Sequence, residues 1–207
     1  MKVLQLQVGM IGTNCYLVEN EATGHGVVID PGDEGERIVA LINKEGLQID
    51  AIFITHGHSD HIGGLTEVRT ATKAKVYISL ADAECLTKAQ TNLSVYLQGK
   101  KAEFDPADLF YKDGDKIMAA GLEFEVLTTP GHTPGGVCLR CGDTLFCGDT
   151  IFLESVGRTD FPGGSYDALL NSIKTKILTL PDEVKLLPGH GPESSVGWER
   201  RRNPFLQ

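Results

Sequence analysis

The stretch Thr55-His56-Gly57-His58-Ser59-Asp60-His61-Ile62-Gly63-Gly64 places three histidines and one aspartate within six positions. It follows directly on a short apolar run that predicts a strand. Residues two apart at the end of a strand point the same way, so His56 and His58 can bind one metal ion. Asp60 and His61 stand where the chain would turn into a helix, and they can bind a second ion. Imidazole and carboxylate ligands suit zinc, and they also suit iron or manganese.

Three later loops carry further candidate ligands, and each of them also follows a predicted strand. His132 stands in Thr129-Pro-Gly-His-Thr, Asp149 in Cys147-Gly-Asp-Thr, and His190 in Pro188-Gly-His-Gly. Side chains that leave the carboxyl ends of strands converge even when they are distant in sequence. Seven candidate ligands are too many for one tetrahedral ion and suit two ions that share a bridging carboxylate. Because a structural zinc site favours a closed shell of four Cys or His ligands, we expect a catalytic centre.

Short apolar runs bounded by Gly, Pro, Asp or Asn predict nine strands in an α/β (α+β) layered domain that covers residues 1–207. The predicted strands are Val3–Val8, Cys15–Val18, Val27–Ile29, Ile52–Ile54, Val76–Ile78, Phe124–Leu127, Val137–Leu139, Thr144–Cys147 and Val184–Leu187. Amphipathic spacing predicts helices at Glu34–Lys44 and Tyr166–Leu178, with shorter ones at Ile62–Thr72 and Ala81–Ala89. The least regular region, Thr91–Asp115, is compatible with a lid over a pocket or with a surface connection packed by its own aromatic residues.

The two histidine loops share a faint internal similarity. Thr55-His-Gly-His-Ser and Thr129-Pro-Gly-His-Thr each follow an apolar run, and a Gly-Gly pair stands shortly after each of them. Two related halves of the chain would explain this match.

The composition excludes several classes of partner and points to the cytoplasm. The chain has 28 acidic and 19 basic residues, a net charge of −9, which argues against nucleic acid or an anionic membrane as the main partner. Gln5 and Gln7 interrupt the N-terminal apolar pattern, so we expect no secretory signal, and no apolar run approaches the ~18 residues of a membrane span. Five cysteines are an odd number, which favours reduced thiols. The lone C-x-x-C at Cys138–Cys141 lies in a predicted strand and is weak evidence for redox chemistry.

The ten-residue histidine stretch resembles the H-x-H-x-D-H motif of the metallo-β-lactamase superfamily, and the later candidate ligands follow in that family's order. The resemblance runs from about Gln5 to His190. It implies a four-layer αββα sandwich that holds two divalent metal ions, zinc first among the candidates. It also implies that His56, His58 and His132 hold the first ion. Asp60, His61 and His190 would hold the second, Asp149 would bridge the two, and Asp30 would support the ligands from behind.

Within that superfamily, the stretches Gly148–Ser165 and Glu199–Leu206 are most similar to the glyoxalase II (hydroxyacylglutathione hydrolase) branch, particularly its short bacterial members. The resemblance implies hydrolysis of a small anionic thioester such as S-D-lactoylglutathione by water activated between the metal ions, with Asp60 as the catalytic residue that orients the water. Arg158 stands where that branch places a basic residue near glutathione, and Tyr166 is a second candidate substrate contact. Full-length members carry a C-terminal helical extension that helps to bind glutathione. Only 17 residues (207 − 190) follow His190 here, so hydrolysis is more firmly implied than glutathione.

Three alternatives remain open from the sequence. A persulfide dioxygenase with one iron on a His-His-Asp face resembles the same motifs, but it does not require His61 and His190 as ligands. A lactonase or another hydrolase of the same fold would use the same ligand set. A non-catalytic metal-binding or partner-binding module is the third, although the complete ligand set argues against it. The sequence leaves the oligomeric state open.

Overall fold

The computed structural model describes residues 1–99 and 101–207, and its strands form two six-stranded sheets. The first sheet has its strands in sequence order: β1 (Lys2–Val8), β2 (Thr13–Asn20), β3 (His25–Ile29), β4 (Gln48–Phe53), β5 (Lys75–Ser79) and β6 (Leu109–Tyr111). The second comprises β7 (Lys116–Ala119), β8 (Leu122–Thr128), β9 (Val137–Cys141), β10 (Thr144–Gly148), β13 (Lys185–Pro188) and β14 (Ser194–Ser195), in the order β14-β13-β10-β9-β8-β7. A separate small hairpin joins β11 (Ile151–Phe152) to β12 (Ser155–Val156).

The helices lie on the outer faces of the two sheets. They are α1 (Gly35–Glu45), α2 (Ser59–Ile62), α3 (Leu65–Thr72), α4 (Glu84–Thr87), α5 (Ser94–Gln98), α6 (Tyr166–Ser172) and α7 (Val196–Arg202). Within the described residues, none of these helices is long and apolar enough to cross a membrane.

Three hydrophobic clusters separate four layers, which confirms the predicted fold class and the αββα sandwich. One cluster packs Ile38 and Val68 of the first helix layer against the outer face of the first sheet. The second fills the space between the sheets, where the rings of Phe53 and Phe124 lie 5.0 Å apart. The third packs the outer face of the second sheet against Leu169 and neighbouring residues of α6. Each sheet thus has a cluster on both of its faces, and central strands such as β2 and β3 are buried along most of their length.

Each predicted strand is present, but three of the predicted helices end or break earlier than expected. The predicted helix Ile62–Thr72 is interrupted at Gly63–Gly64, because the backbone N–H groups of these residues donate to the carbonyls of Gly32 and Pro31 instead of to the preceding helical turn. The predicted helix Tyr166–Leu178 is α-helical only to Ser172 and continues as a π turn. The predicted helix Ala81–Ala89 is a short 3-10 turn at Leu80–Asp82 followed by α4.

The irregular region Thr91–Asp115 contains α5 and β6, which the sequence pattern did not predict. Strand β6 pairs in parallel with β5 and so extends the first sheet, and one residue of the region, Lys100, lies outside the described part of the chain. The end of the region therefore belongs to the first sheet.

The Cys138–Cys141 motif forms no dithiol site. The two residues lie on opposite faces of β9, Cys138 in the cluster under α6 and Cys141 in the cluster between the sheets. All five cysteines of the chain are within the described residues and are free thiols.

Candidate metal centre

The seven candidate ligands converge at one end of the molecule, and both sheets contribute to the group. His56, His58, Asp60 and His61 follow β4 of the first sheet. The ligands from the second sheet follow β8 (His132), β10 (Asp149) and β13 (His190). Strands β4 and β5 run parallel in the first sheet, as do β10 and β13 in the second, so their carboxyl ends deliver loops to the same edge.

His56, His58 and His132 form the first cluster, and all three side chains are buried. Nε2 of His56 lies 3.1 Å from Nδ1 of His58, and Nε2 of His132 lies 2.9 Å from the same atom. Three imidazole nitrogens thus face a common point at spacings that suit one metal ion.

Asp60, His61 and His190 form the second cluster. Oδ2 of Asp60 lies 3.1 Å from Nε2 of His190 and 3.4 Å from Nε2 of His61. Asp149 stands between the two clusters: its Oδ1 is 3.3 Å from Nε2 of His61, and its Oδ2 is 3.6 Å from Nε2 of both His132 and His190. This placement is the one expected of a bridging carboxylate.

The outer nitrogens of the ligands are held by the surrounding chain, which fixes the ring orientations. Nδ1 of His61 lies 2.9 Å from Oδ2 of Asp30, and Asp30 also accepts hydrogen bonds from the backbone N–H and the hydroxyl of Thr55. Nδ1 of His132 donates to the carbonyl of Arg158 at 2.7 Å. These contacts leave Nε2 of His61 and of His132 free to bind a metal ion.

Burial and neighbouring charges shift the pKa values of the clustered groups in opposite directions. Burial, together with the neighbouring histidines, lowers the pKa of His56 well below its usual value, and burial and His132 lower the pKa of His58 to about 3. Burial alone would lower the pKa of His61 too, but Asp149, Asp60 and Asp30 outweigh it and raise that pKa well above its ordinary value. Burial opposes ionisation of Asp149, yet the neighbouring histidines lower its pKa. Divalent cations bind neutral imidazoles and ionised carboxylates, so His56 and His58 are already in the binding form, whereas His61 must give up a proton when a metal ion binds.

The residues present fit a pair of divalent ions. Nε2 of His61 and Oδ1 of Asp149 are buried and have no hydrogen-bond partner among the described residues, although they lie 3.3 Å apart. Buried polar atoms without a partner are costly, and a cation between them would satisfy both. The donor set contains nitrogen and oxygen atoms and no sulfur, which suits zinc, iron or manganese.

Side-chain hydrogen bonds and one close backbone contact hold the loop of His190 in place. The Asn14 side chain donates to the carbonyls of Pro188 and Gly191, and the Tyr16 hydroxyl donates to the Pro188 carbonyl at 2.7 Å. Gly189 lies so close to the site that a Cβ there would overlap Oδ1 of Asp149 and the ring of His61. The position therefore requires glycine for close approach.

Asp82 is a buried residue that the sequence analysis missed. Its Oδ2 accepts hydrogen bonds from the backbone N–H of Gly57 (3.0 Å) and the hydroxyl of Thr133 (2.7 Å), and its Oδ1 accepts one from Gly135 (2.7 Å). The carboxylate therefore joins the loop of His56 and His58 to the loop of His132. Asp82 follows strand β5 in the same way as Asp30 follows strand β3. This position after a strand is the sequence feature that could have identified Asp82 as a supporting residue.

The two predicted substrate contacts lie in the segment that follows Asp149. The exposed Arg158 side chain forms a two-point ion pair with Asp160 and stacks 4.0 Å from the ring centre of Phe161, which in turn contacts the ring of His58. Tyr166 is the first residue of α6 and is partly exposed. The preceding residue, Ser165, donates its backbone N–H to the carbonyl of Gly131 beside His132. Both predicted contacts thus belong to elements that border the first cluster.

Comparison with known proteins gives one family and several full-length relatives. Residues 8–190 match the family model of the metallo-beta-lactamase superfamily. The chain is 38% identical to the probable metallo-hydrolase YqgX of Bacillus subtilis and 32% identical to the hydroxyacylglutathione hydrolase GloC of Haemophilus influenzae. In both cases the match covers 100% of this chain and 98% of the relative.

Solved structures give the same result. The B3 metallo-beta-lactamase BLEG-1 superposes with a TM-score of 0.96 at 36% identity and covers 100% of both chains. TTHA1623, solved in a di-iron-bound form, gives a TM-score of 0.87 at 36% identity and covers 98% of this chain and 100% of its own.

Proposed function

Because the chain belongs to the metallo-beta-lactamase superfamily of metal-dependent hydrolases, we propose that it is a two-metal thioesterase that hydrolyses thioesters of the S-lactoylglutathione type. The relative named hydroxyacylglutathione hydrolase, 32% identical over the whole chain, supports this substrate class.

The observation that carries the proposal is the paired arrangement of ligands around Asp149. Its Oδ2 lies 3.6 Å from Nε2 of His132 in the first cluster. Its Oδ1 lies 3.3 Å from Nε2 of His61 and its Oδ2 lies 3.6 Å from Nε2 of His190, both in the second cluster. A one-iron dioxygenase would need one cluster, whereas the second cluster of Asp60, His61 and His190 is here as complete as the first. A two-metal hydrolase accounts for all seven residues.

Two divalent ions held by these residues would lower the pKa of a bound water toward neutrality and polarise a thioester carbonyl. The chain itself orients the water. The neighbouring His61 and His190 outweigh the effect of burial and lower the pKa of Asp60, so its Oδ2 is an ionised acceptor for a proton of that water at neutral pH. The leaving thiolate is stable in water, so the reaction needs no strong general acid. Arg158 is the basic residue that we assign to the anionic thiol half of the substrate, and its exposed guanidinium would exchange its ion pair with Asp160 for a substrate carboxylate.

A second candidate reaction is hydrolysis of a β-lactam, supported by the 36% identical B3 metallo-beta-lactamase structure. The amine that leaves a β-lactam is a poorer leaving group than a thiolate and requires protonation. Turnover of S-lactoylglutathione and of a cephalosporin by the same metal-loaded sample separates the two reactions.

Substitution of the ligands tests the thioesterase directly. We expect His58→Ala and Asp149→Ala to lose bound metal and to lower thioester turnover at least ~100-fold, because each change removes a metal ligand. Metal content by elemental analysis and thioester hydrolysis are measured on the same preparations.

His25→Ala is the matched control, since His25 is the one histidine outside the site and pairs with Asp50 at the start of β3. It should keep both metal and turnover. Full turnover in the metal-stripped His58→Ala variant would contradict the proposal.

A further inference from the structure

A cavity of about 210 Å³ lies beside His58, on the outer side of the first ligand cluster. Cys85, Leu93 and Pro134 form part of its wall, so it opens next to a proposed metal ligand and is lined partly by apolar groups. Neither the predicted substrate contacts nor the ligand set accounts for it.

The wall of this cavity carries negative charge. Asp82 and Glu84 both line it, and no Lys or Arg is found among the described residues of the lining. The oxygens of Asp82 are occupied by Gly57, Thr133 and Gly135, so this carboxylate is not available to a ligand. Such a wall disfavours anions and, apart from the amide of Gln90, offers an occupant mainly van der Waals contact.

The size of the cavity indicates which half of the proposed substrate it can hold. About 210 Å³ is somewhat more than the ~150 Å³ of a cavity that takes up benzene, so it suits a group of a few carbon atoms and not glutathione, which has about 20 non-hydrogen atoms. Glutathione also carries carboxylates at both ends, which the acidic wall would repel. A short, uncharged acyl chain meets both limits.

The wall beside Leu93 is held in a strained but well-supported conformation. Leu93 has a φ of 64°, a left-handed conformation that is unfavourable for a branched side chain, and its side chain is buried. The neighbouring Asn92 side chain donates to the carbonyls of Cys85 and Ala102 and accepts from the N–H of Ser94. The Asn92 carbonyl also accepts from Ser59, at the start of α2. The chain thus maintains this wall at a cost, which points to a function for its shape.

We propose that this cavity, the acyl pocket (bounded by His58, Cys85, Leu93 and Pro134), holds the short uncharged acyl group of the substrate, while the anionic thiol half lies outside it toward Arg158. The assignment rests on the proposed thioesterase and narrows its substrates to short acyl chains. It makes Cys85 and Leu93 determinants of acyl-chain length.

A chain-length series of S-acylglutathiones tests the pocket, and the ratio of kcat/KM between two substrates makes the result independent of overall activity. We expect the unmodified protein to prefer butyryl over acetyl about tenfold, because two further methylenes are buried, and to disfavour octanoyl, which exceeds the volume.

Cys85→Leu should lower the butyryl/acetyl ratio toward one, and Leu93→Ala should raise the octanoyl/butyryl ratio. Met118→Leu, an exposed position on β7, is the control and should leave both ratios unchanged. Unchanged ratios in both pocket variants would overturn the assignment.

Alkylation of Cys85 tests the pocket without any turnover. Cys85 is the one cysteine of the chain that is not buried, so iodoacetamide labelling followed by mass spectrometry reports on this pocket. Burial and Asp82 raise the pKa of the thiol to about 11, so labelling is run at about pH 9. Butyramide, which is uncharged, should slow labelling of the metal-loaded protein more than acetamide or S-methylglutathione does at equal concentration, and equal rates with all three would overturn the assignment.

The two tests separate this inference from the proposed function. A protein that hydrolyses no thioester, yet in which butyramide protects Cys85, would contradict the thioesterase and retain the pocket. A protein that hydrolyses thioesters with unchanged ratios in both variants would contradict the pocket alone.

Discussion

At the scale of single residues, Asp82 links the two loops that deliver the first ligand cluster. One carboxylate accepts three hydrogen bonds in a buried place, two from backbone N–H groups and one from Thr133. Burial raises the pKa of Asp82, and these hydrogen bonds act against that rise. Because the donors come from loops of different sheets, the carboxylate fixes the distance between His58 and His132.

We therefore expect Asp82→Asn to lower metal occupancy and to lower kcat/KM at least tenfold. An amide has a single acceptor oxygen, so its NH₂ group must face either the N–H of Gly135 or the donors Gly57 and Thr133. The loss of a charged acceptor costs about 1.5–3 kcal/mol. Metal titration and kinetics measure the two effects.

Asp108→Asn is the matched control for this change. Asp108 also accepts a backbone N–H, that of Val76, but it does so at the amino end of β5, away from the histidine loops. It should keep metal affinity and kcat/KM. Equal losses in both variants would show that Asp82 acts only through general stability.

The convergence of the seven candidate ligands could be predicted from the sequence, because each of these side chains follows a strand whose apolar pattern is clear. Asp82 obeys the same rule, but a lone aspartate offers no motif that separates it from a turn residue. The partners of Arg158 were also beyond prediction, since its pairing with Asp160 and stacking on Phe161 depend on how the loop folds back.

At the scale of elements, helix α7 holds the β11–β12 hairpin that follows Asp149. The buried Glu199 accepts hydrogen bonds from the N–H of Glu154 (2.9 Å) and the side chains of Asn203 and Ser194. Asn203 also donates to the carbonyl of Ser155 in the hairpin. The C-terminal stretch Glu199–Leu206, which resembles the glyoxalase II branch, thus helps to position this hairpin.

Glu199→Gln should destabilise the protein by about 1–3 kcal/mol, because one of its buried donors would face an amide NH₂ instead of an acceptor. Hydrogen exchange should become faster in residues 151–156, and kcat/KM should fall because Phe152 of the hairpin lies against the ring of His190. Glu183→Gln, at an exposed position before β13, should leave both measurements unchanged. Unaltered exchange in the hairpin of the Glu199 variant would contradict the role of α7.

Element boundaries were harder to predict than the elements themselves. The period of apolar residues predicts a helix through Gly63–Gly64, but contact with the Gly32 backbone interrupts it. Such a contact between distant residues cannot be predicted from the spacing of neighbouring apolar residues. Strands β6, β7 and β14 were missed because edge strands of two to four residues carry too few apolar residues to show alternation.

At the scale of the whole molecule, the chain divides into two sheets without exchange of strands. Strands β1–β6 lie between residues 2 and 111, and the second sheet lies between 116 and 195. The faint similarity between the two histidine loops fits this division, since one loop follows a strand of each sheet. Metal ions held by ligands from both sheets would therefore connect the two halves of the molecule.

Removal of metal should lower the melting temperature, and the difference should widen as pH rises. Metal at about 100 times its Kd adds about 2.7 kcal/mol to the free energy of unfolding, or roughly 5–10 °C for a protein of this size. The pKa of His61 is raised in the metal-free protein, so near neutral pH the metal must displace a proton from it. A higher pH removes that competition up to the pKa of His61.

Calorimetric scans of loaded and chelated samples at matched pH values measure this difference. The His25→Ala variant, which retains all seven candidate ligands, should show the same widening. A gap that narrows as pH rises would contradict the assigned proton competition.

The division into two sheets means that the chain can be cleaved between them without cutting either sheet. Its covalent connection is the short turn Lys112–Asp115, and the apolar layer around Phe53 and Phe124 is otherwise the main contact between the halves. A chain cut in this turn becomes a pair of complementary fragments, each with its own sheet and with part of the ligand set. Divalent metal would then hold the two fragments together. Association of the fragments would therefore report the presence of the metal ion.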